Sequence, residues 1–425
     1  MLDIRRLRLE PEAVKSALAK RDHGLITIVD HLLSLDKERR ESLAVVNELK
    51  AERNTSSKLV GELKRKGEDT QEIVVTMRGI GNQISEIDEK VRVIDQELQD
   101  ILLTIPNTPL AEVLDGGEDQ NRIEKIWGDL PAFDFEPSPH WELGENLDII
   151  DFSRASKISG SGFSVLKGMG ARLQRGLIDY FLDVHTKEHG YTEVRVPYLV
   201  TRQTMIGTGQ LPKFEEESYV TERDDLWLIP TAEVPITNLH RDEILNGTEL
   251  PTRYVGYSPC FRREAGAAGK DTRGLLRIHQ FDKVELVRYE HPETSREALE
   301  ELTREAEVLL EGLGLHYRRV LISSRDLGFS GAMTYDLEAW APAIGQWLEV
   351  SSCSTFTDYQ ARRANLRFRS SQSEKPMFLH TLNASGLALP RIIAALLESY
   401  QQHDGSIVLP EVLHPYLGCE RLIAE

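Results

Sequence analysis

The chain lacks the features that mark membrane and secreted proteins. Its 425 residues contain no run of about 18 apolar residues, and its first residues are of mixed charge rather than basic and then apolar. We therefore expect neither a membrane span nor a secretion signal, and predict a cytoplasmic protein. Cysteine is scarce, since only Cys260, Cys353 and Cys419 occur, far apart and without the spacing of zinc ligands. This favours buried thiols over a disulfide framework or a zinc site.

A net positive charge and the commonest nucleotide-binding loops are also missing. The formal net charge of -18 at pH 7 argues against a protein coated in positive potential, as nonspecific nucleic-acid binders are. A small basic patch can still engage a phosphate backbone, so an RNA partner stays open. Neither GxGxxG nor GxxxxGK[ST] occurs in the sequence.

The N-terminal part carries apolar residues at alternating spacings of three and four. The series runs from Ile28 to Leu63 with interruptions, and from Ile73 to Ile105 with ten consecutive apolar positions. A polar stretch around Gly67 separates the two halves. The pattern predicts a long antiparallel coiled coil over about residues 28–105, an arm on the order of 50 Å long.

The tip of this predicted hairpin, residues 56–66, is basic. Its cations are Lys58, Lys64, Arg65 and Lys66, with Glu62 as the one acidic residue. They are candidate contacts to a nucleic-acid backbone, although a solvated coiled-coil end accounts for them equally well. Prolines 106 and 109 end the second helix. We predict two domains, a helical arm over residues 1–108 and a second domain over residues 109–425.

The second domain shows strand patterns that follow one another with few helices between them. After an amphipathic helix at residues 170–190, such patterns occur at residues 317–323, 333–340 and 346–352. Successive strands of this kind favour a mostly antiparallel sheet flanked by helices. The predicted fold class is α+β.

Residues 261–285 concentrate charge between two strand patterns, at residues 254–260 and 275–287. Alternation would place Arg277, Phe281 and Glu285 on one face of the second strand. Glu264 and Glu285 accompany the cations Arg262, Arg263, Lys270, Arg273 and Arg277. Such a grouping suits a polyphosphate beside an amine. A surface hairpin with solvated charges is the alternative.

A nearly apolar helix, opened by Gly386 and Pro390, carries Arg391 in its first turn. An arginine there faces the positive end of the helix dipole, which is unfavourable unless an anion lies nearby. The alternative is a side chain that extends to the surface.

Together these motifs resemble the class II aminoacyl-tRNA synthetases. Residues 190–197 are similar to the first signature of that class, a helix leading into a strand that ends in proline, here Pro197. FRREAG is similar to the second signature and GLALPR to the third, although Ala388 stands where many members have glycine. The finer resemblance, over essentially the whole chain, is to the bacterial-type seryl-tRNA synthetases. It is carried by TAE at residues 231–233, TRGLLRIHQFDKVE, EVSSCS at residues 349–354, TLNASGLALPR and the N-terminal arm.

The resemblance implies a homodimeric ligase that forms seryl-adenylate from L-serine and ATP with Mg²⁺, and then transfers the seryl group to tRNA(Ser). tRNA(Sec) is a further candidate substrate. The arm of one subunit would serve a tRNA whose acceptor end enters the other subunit. Two alternatives are a relative that loads a carrier protein, which the arm disfavours, and a catalytically inactive binding protein. The complete set Arg262, Glu264, Glu349 and Arg391 disfavours the second alternative.

The resemblance also implies roles for residues at the nucleotide. Arg262 and Arg391 would be catalytic, and Arg262 would bridge the α-phosphate and the serine carboxylate. Glu264 would bind the adenine amine, Phe281 would stack on the ring, and Arg277 and Arg391 would hold the outer phosphates. Mg²⁺ would bind Glu349 and Ser352. The implied ATP-binding residues are Arg262, Arg263, Glu264, Arg277, Ile278, Phe281, Glu349, Val350, Ser351, Ser352 and Arg391.

For serine, the implied residues are Thr231, Ala232, Glu233, Arg262, Glu285, Asn383 and Ser385. We expect Glu285 to accept the substrate hydroxyl, because an analogue without it would leave buried polar groups unpaired. For tRNA, the implied contacts are Lys58, Lys64, Arg65 and Lys66. Two roles stay open for Arg263, Lys270 and Arg273. They would either close the loop over the substrates or contact the acceptor end of the tRNA.

Overall fold

The computed structural model describes residues 1–265, 273–371 and 373–424, so Lys270 of the charged loop lies outside the described residues. Its contacts divide the chain into two compact units. One is Leu2–Ile105, and the other is Pro106–Glu425 together with Met1. Among the described residues, no helix is long and apolar enough to cross a membrane.

The N-terminal unit is a helical hairpin preceded by two short helices, α1 (Ile4–Leu9) and α2 (Pro11–Ala19). The hairpin consists of α3 (Leu25–Lys66) and α4 (Gln71–Thr104), with 42 and 34 residues. At about 1.5 Å per residue these helices are roughly 60 and 50 Å long. Helix α3 ends because Gly67 adopts a left-handed conformation with φ of 79°, which glycine reaches at little cost.

The two long helices pack antiparallel along the predicted apolar stripe. Val46 of α3 packs against Ile80 and Ile84 of α4. Ion pairs cross the hairpin at both flanks, with Lys90 Nζ 2.7 Å from Glu38 and Lys50 Nζ 3.4 Å from Asp88. Two positions of the predicted stripe were misassigned. Val29 is fully buried and Ile28 only half-buried, because α3 starts at Leu25 and buries Leu25, Val29 and Leu32 on one side. Near the end of α4, Leu102 is buried and Ile101 only half-buried.

The second unit is built on a mostly antiparallel sheet, which confirms the predicted α+β class. Among the described residues this sheet has eight strands. In chain order they are β1 (Arg122–Trp127), β2 (Thr192–Glu193), β3 (Thr252–Phe261), β4 (Gln280–Glu290), β5 (Tyr317–Leu321), β6 (Met333–Ala341), β7 (Gln346–Thr357) and β8 (His380–Ala388). Their spatial order is β1-β5-β6-β7-β8-β4-β3-β2. Among these eight strands, only the pair β2 and β3 is parallel.

Helices and small sheets surround this sheet. The helices are α5 (His140–Asn146), α6 (Phe152–Ser159), α7 (Met169–Lys187), α8 (Arg202–Thr208), α9 (Glu233–Thr237), α10 (Ser295–Gly312), α11 (Tyr359–Ala364), α12 (Leu389–Tyr400) and α13 (His414–Leu417). The smaller sheets join Ile244–Asn246 with Arg367–Arg369 and Met377–Phe378, Ile150–Asp151 with Val165–Leu166, Leu199–Thr201 with Leu226–Leu228, and Ile407–Val408 with Arg421–Leu422.

The sheet separates an apolar core from the site. Val284 and Leu286 of β4 are fully buried in one cluster with the apolar faces of α7, α10 and α12. The alternating residues Phe281, Lys283 and Glu285 point to the opposite side, because successive side chains of a strand alternate. The amphipathic helices thus cover one face and leave polar chemistry on the other.

Three predicted boundaries are wrong. The second strand of the charged hairpin begins at Gln280, so Arg277 precedes it and is not on a strand face with Phe281 and Glu285. Residues 275–279 bond elsewhere instead: the His279 N–H donates to the Gly162 carbonyl at 2.8 Å. Gly386 lies within β8, and α12 begins at Leu389. The strand expected before Pro197 contains only Thr192 and Glu193.

Candidate active site

A cavity of about 360 Å³ lies between the end of β3, the start of β4 and the N-terminus of α12. Its lining contains nine of the predicted ATP-binding residues: Arg262, Glu264, Arg277, Ile278, Phe281, Glu349, Val350, Ser351 and Arg391. The fold therefore brings together residues from three separated motifs. We call this space the nucleotide-side cavity.

Arg262 follows β3 and lies at the boundary of two cavities. Its backbone N–H donates to the His279 carbonyl at 2.9 Å, which ties it to the chain entering β4. Its guanidinium carbon lies 5.1 Å from the centre of the Phe281 ring. This contact is a cation–π interaction, and it holds a planar cation beside a flat ring.

Glu264 and Arg277 pair with each other across the nucleotide-side cavity. Arg277 Nε donates to Glu264 Oε2, and Glu264 adopts a left-handed backbone conformation with φ of 49°. Such a conformation is strained for a non-glycine residue and often accompanies a functional site. A bound nucleotide with an amine and phosphates would compete for both members of this pair.

Arg263 is directed away from this cavity. Its backbone N–H donates to the Glu217 carbonyl at 2.9 Å, and its guanidinium donates to the Glu216 carbonyl at 2.9 Å. The structure thus places Arg262 with the other implied nucleotide ligands and turns Arg263 toward the segment of residues 216–217.

Arg391 at the start of α12 has acceptors of its own. Its Nη1 donates to the Glu349 carbonyl at 2.6 Å and lies 3.5 Å from the Glu349 carboxylate, and its Nε donates to the Leu276 carbonyl at 3.3 Å. These oxygens offset the unfavourable interaction between the Arg391 charge and the positive end of the dipole of α12. They also aim the guanidinium into the cavity.

A second cavity of about 560 Å³ adjoins the first, and we call it the amino-acid-side cavity. The two share Arg262, Lys283, Glu349 and Ser385 in their linings. The predicted serine-binding residues that line it are Thr231, Glu233, Arg262, Asn383 and Ser385, and Ser352 lines it as well. Ala232 is fully buried at the start of α9.

Two buried carboxylates are joined beneath this cavity by one amide. Asn383 Nδ2 donates to Glu233 Oε2 at 2.8 Å and to Glu285 Oε1 at 3.0 Å. Glu285 is fully buried and forms an ion pair with Lys283. Burial, and then the charge of Glu285, raise the pKa of Glu233 to about 7. Burial also raises the pKa of Glu285, while Lys283 opposes the shift.

Sequence reasoning missed several residues at the site. Lys283 lies between two assigned positions of β4, so its alternation with Phe281 and Glu285 was a usable signal. Asp336 of β6 stands opposite Ser352 of β7, and burial and the nearby Glu349 raise its pKa well above the ordinary value. Gln360 donates to Glu233 from α11. No sequence pattern marked Asp336 or Gln360, because each is brought in by tertiary packing.

A fully buried histidine–carboxylate pair anchors the chain at Leu275. The Leu275 N–H donates to His140 Nε2 at 3.1 Å, so His140 carries its proton on Nδ1, which donates to Glu398 at 2.8 Å. Glu398 also accepts the N–H groups of His140, Ala343 and Ile344. Arg273 stacks on Trp141, 4.6 Å from the ring centre.

The four predicted RNA-contacting cations lie in the other unit. Lys58, Lys64, Arg65 and Lys66 are exposed on the last turns of α3. Arg65 Nε donates back to the Gly61 carbonyl at 3.1 Å, and Gly61 lies on the same helix.

Comparison with known proteins now identifies the family. Residues 1–109 match the seryl-tRNA synthetase N-terminal domain, and residues 213–400 match the tRNA synthetase class II core domain (G, H, P, S and T). A serine–tRNA ligase of Clostridium botulinum (strain Loch Maree / Type A3) is 57% identical over 425 residues, which is all of both chains. The chain belongs to the seryl-tRNA synthetase family.

Further relatives of this family agree over the full length. A serine–tRNA ligase of Geobacillus kaustophilus is 52% identical over 98% of this chain and 99% of its own. A crystal structure of seryl-tRNA synthetase from Pyrococcus horikoshii complexed with ATP has 40% identity and a TM-score of 0.96 over all of both chains. The predicted resemblance, fold and enzyme class are thereby confirmed.

Proposed function

We propose that this protein is a serine–tRNA ligase that activates L-serine with ATP to seryl-adenylate and then transfers the seryl group to tRNA(Ser), with AMP and diphosphate as the other products. The observation that carries the proposal is the pair of adjoining cavities with Arg262 at their boundary. One has residues suited to a nucleotide, and the other has buried carboxylates suited to an amino acid.

Arg262 is the proposed catalytic residue of the first step. The serine carboxylate attacks the α-phosphorus of ATP, diphosphate leaves, and the protein contributes positioning and charge stabilisation rather than a covalent bond. A guanidinium between the cavities reaches the carboxylate and the α-phosphate at once, and its planar fork suits two oxygens better than a lysine does.

The ATP contacts follow from the nucleotide-side cavity. Phe281 provides the stacking surface, and Glu264 accepts from the adenine amine once its pairing with Arg277 is broken. Arg277 and Arg391 then hold the outer phosphates. The complex of Pyrococcus horikoshii seryl-tRNA synthetase with ATP supports ATP as the nucleotide.

Glu349 and Ser352 are the proposed Mg²⁺ ligands. Among the described residues there is no cluster of three or more His, Cys, Asp or Glu side chains arranged to hold a metal ion. Two hard oxygen donors fit Mg²⁺ all the same, because this ion typically takes one or two protein oxygens together with substrate phosphates and water. When bound, Mg²⁺ would neutralise phosphate charge.

The amino-acid-side cavity supports serine as the substrate. Glu233, with Thr231 beside it, is the proposed partner of the ammonium group. Glu285, together with Asn383 and Ser385, is the proposed partner of the hydroxyl. Alanine would leave this network unpaired and bind poorly.

The helical arm supports the transfer step. Its exposed cations Lys58, Lys64, Arg65 and Lys66 are the proposed contacts to the backbone of tRNA(Ser), which is read by shape.

We further propose that residues 1–108 form the tRNA-binding domain and residues 109–425 the catalytic domain, and that the enzyme is a homodimer. tRNA(Sec) is a second proposed substrate.

Pyrophosphate exchange with each of the twenty amino acids tests the adenylate step. Serine should give the dominant ATP-dependent signal, with alanine and threonine far weaker. A dominant signal from another amino acid would overturn the proposal, as would exchange independent of any amino acid.

A further inference from the structure

Gln360 of α11 lies directly beside the amino-acid-side cavity and has no role in the function proposed above. It is fully buried. Its Nε2 donates to Glu233 Oε1 at 2.6 Å and to the Thr208 carbonyl at 3.2 Å. Its Oε1 accepts from the Thr381 hydroxyl at 2.7 Å. These hydrogen bonds of the Gln360 side-chain amide can form in only one of its two orientations.

The surroundings of Gln360 forbid the opposite orientation. A flipped amide would turn its oxygen toward the Glu233 carboxylate and the Thr208 carbonyl, which are both acceptors. Thr381, also fully buried, keeps the amide oxygen on its own side by donating to it. Gln360 thus presents an N–H to Glu233 whatever occupies the cavity.

Glu233 is held by two amides from distant parts of the chain. Gln360 binds Oε1 and Asn383 binds Oε2, so the plane of the carboxylate is fixed from both ends. The charged groups that face it are Glu285 and Lys283 on β4 and Arg262 after β3. Burial and Glu285 disfavour its ionised form, whereas Lys283, Arg262 and the bond from Gln360 favour it.

We propose that Gln360 is a positioning residue for amino-acid recognition: its hydrogen bond favours the ionised form of the Glu233 carboxylate and orients it to receive the ammonium group of the substrate. The inference rests on the proposed function of the site as a serine pocket. Gln360 does not touch the substrate, and it acts through Glu233.

The test compares wild type with Gln360→Met, which keeps the length of the side chain and removes its hydrogen bonds. Serine KM, ATP KM and kcat are measured by pyrophosphate exchange from about pH 6 to 9. At pH 7 we expect serine KM to rise by about 10- to 100-fold, as for the loss of one hydrogen bond to a charged group. ATP KM should stay within about twofold.

The pH profile separates positioning from general damage. Loss of the donor raises the pKa of Glu233 further, because the hydrogen bond favours the charged form. The rising limb of kcat/KM for serine should therefore move to higher pH, and the variant should approach wild type at the alkaline end. Asn238→Leu is the matched control, since this half-buried amide bonds to the Thr204 and Val234 carbonyls instead. It should leave the profile in place.

If the folded Gln360→Met variant has the same serine KM and the same pH dependence of kcat/KM as wild type, the inference is overturned while the proposed function stands. If that variant fails to fold, Thr381→Val removes the hydroxyl that orients the amide, and it should shift the profile in the same direction by a smaller amount. An unshifted profile there would also overturn the inference. Absence of serine-dependent exchange in wild type would refute the proposed function, and this inference with it.

Discussion

Arg262 and Arg263 are neighbours in sequence with different surroundings. Arg262 lines both cavities and contacts Phe281, whereas Arg263 donates to the Glu216 carbonyl. We predict that Arg262→Ala lowers serine-dependent exchange by about 10²- to 10³-fold, the usual cost of a lost charge-stabilising donor. Arg263→Ala, its matched control, should lower exchange by less than about tenfold. Comparable losses in the two variants would contradict the assignment.

Glu233 makes stability depend on pH. Its folded-state pKa of about 7 lies above the ordinary value of 4.5, mainly because of burial. Folding therefore favours the protonated form, and stability is lost as the pH rises from 4.5 through 7. Glu233→Gln lacks this dependence, so its free energy of unfolding relative to wild type should rise by up to about 3 kcal/mol between pH 5 and 8. Thermal unfolding at several pH values measures the difference, and a constant difference would refute it.

At the scale of elements, β4 is held by contacts at its start. The segment leading into it is anchored through Leu275 to His140 and from there to Glu398 of α12. Arg391 on the same helix donates to the Leu276 carbonyl. We therefore expect nucleotide binding to depend on the packing of α5 and α12, because both support the residues that precede Arg277.

This anchor gives a prediction that separates the two substrates. Glu398→Gln turns an amide N–H₂ toward buried N–H donors, which costs about 1–3 kcal/mol for an unsatisfied group. We expect the segment to loosen and ATP KM to rise several-fold, with serine KM close to wild type. Steady-state exchange with each substrate varied in turn measures both constants. An equal rise in both would mean general destabilisation instead.

The arm carries its proposed function at the end of α3. In a variant with Lys58, Lys64, Arg65 and Lys66 all changed to alanine, aminoacylation of tRNA(Ser) should fall by at least about tenfold and depend less on salt, because phosphate contacts release counterions. Serine-dependent exchange should be unchanged. The control, Lys37→Ala with Lys90→Ala, removes arm cations away from the tip. Equal loss of charging in the control would argue against a specific contact.

At the scale of the whole molecule, the proposed dimer predicts complementation. A subunit with the four tip substitutions supplies an intact active site, and a subunit with Arg262→Ala supplies an intact arm. If the arm of one subunit serves the active site of its partner, mixing and reassembling the two should raise aminoacylation above the level of either variant alone. Charging rates before and after exchange of subunits measure this, and no recovery in verified mixed dimers would contradict service across the dimer.

The sequence by itself determined the features that depend on neighbouring residues. The spacing of Ile80, Ile84 and Val91 predicts a helical stripe, since residues three and four apart lie on one side of a helix, and the structure buries all three. The motifs likewise identified most residues of the nucleotide-side cavity, because each is a short continuous segment.

Only the tertiary structure decided the features that depend on distant packing. Alternation predicted Arg277 on a strand. The strand begins only at Gln280, because residues 275–279 form hydrogen bonds to His140 and Gly162 instead. Gln360 reaches Glu233 across 127 positions, and Asn383 reaches it across 150. No local pattern encodes such contacts, because they form where α9, α11 and β8 pack together. The charge and orientation of Glu233 are thus properties of the folded molecule.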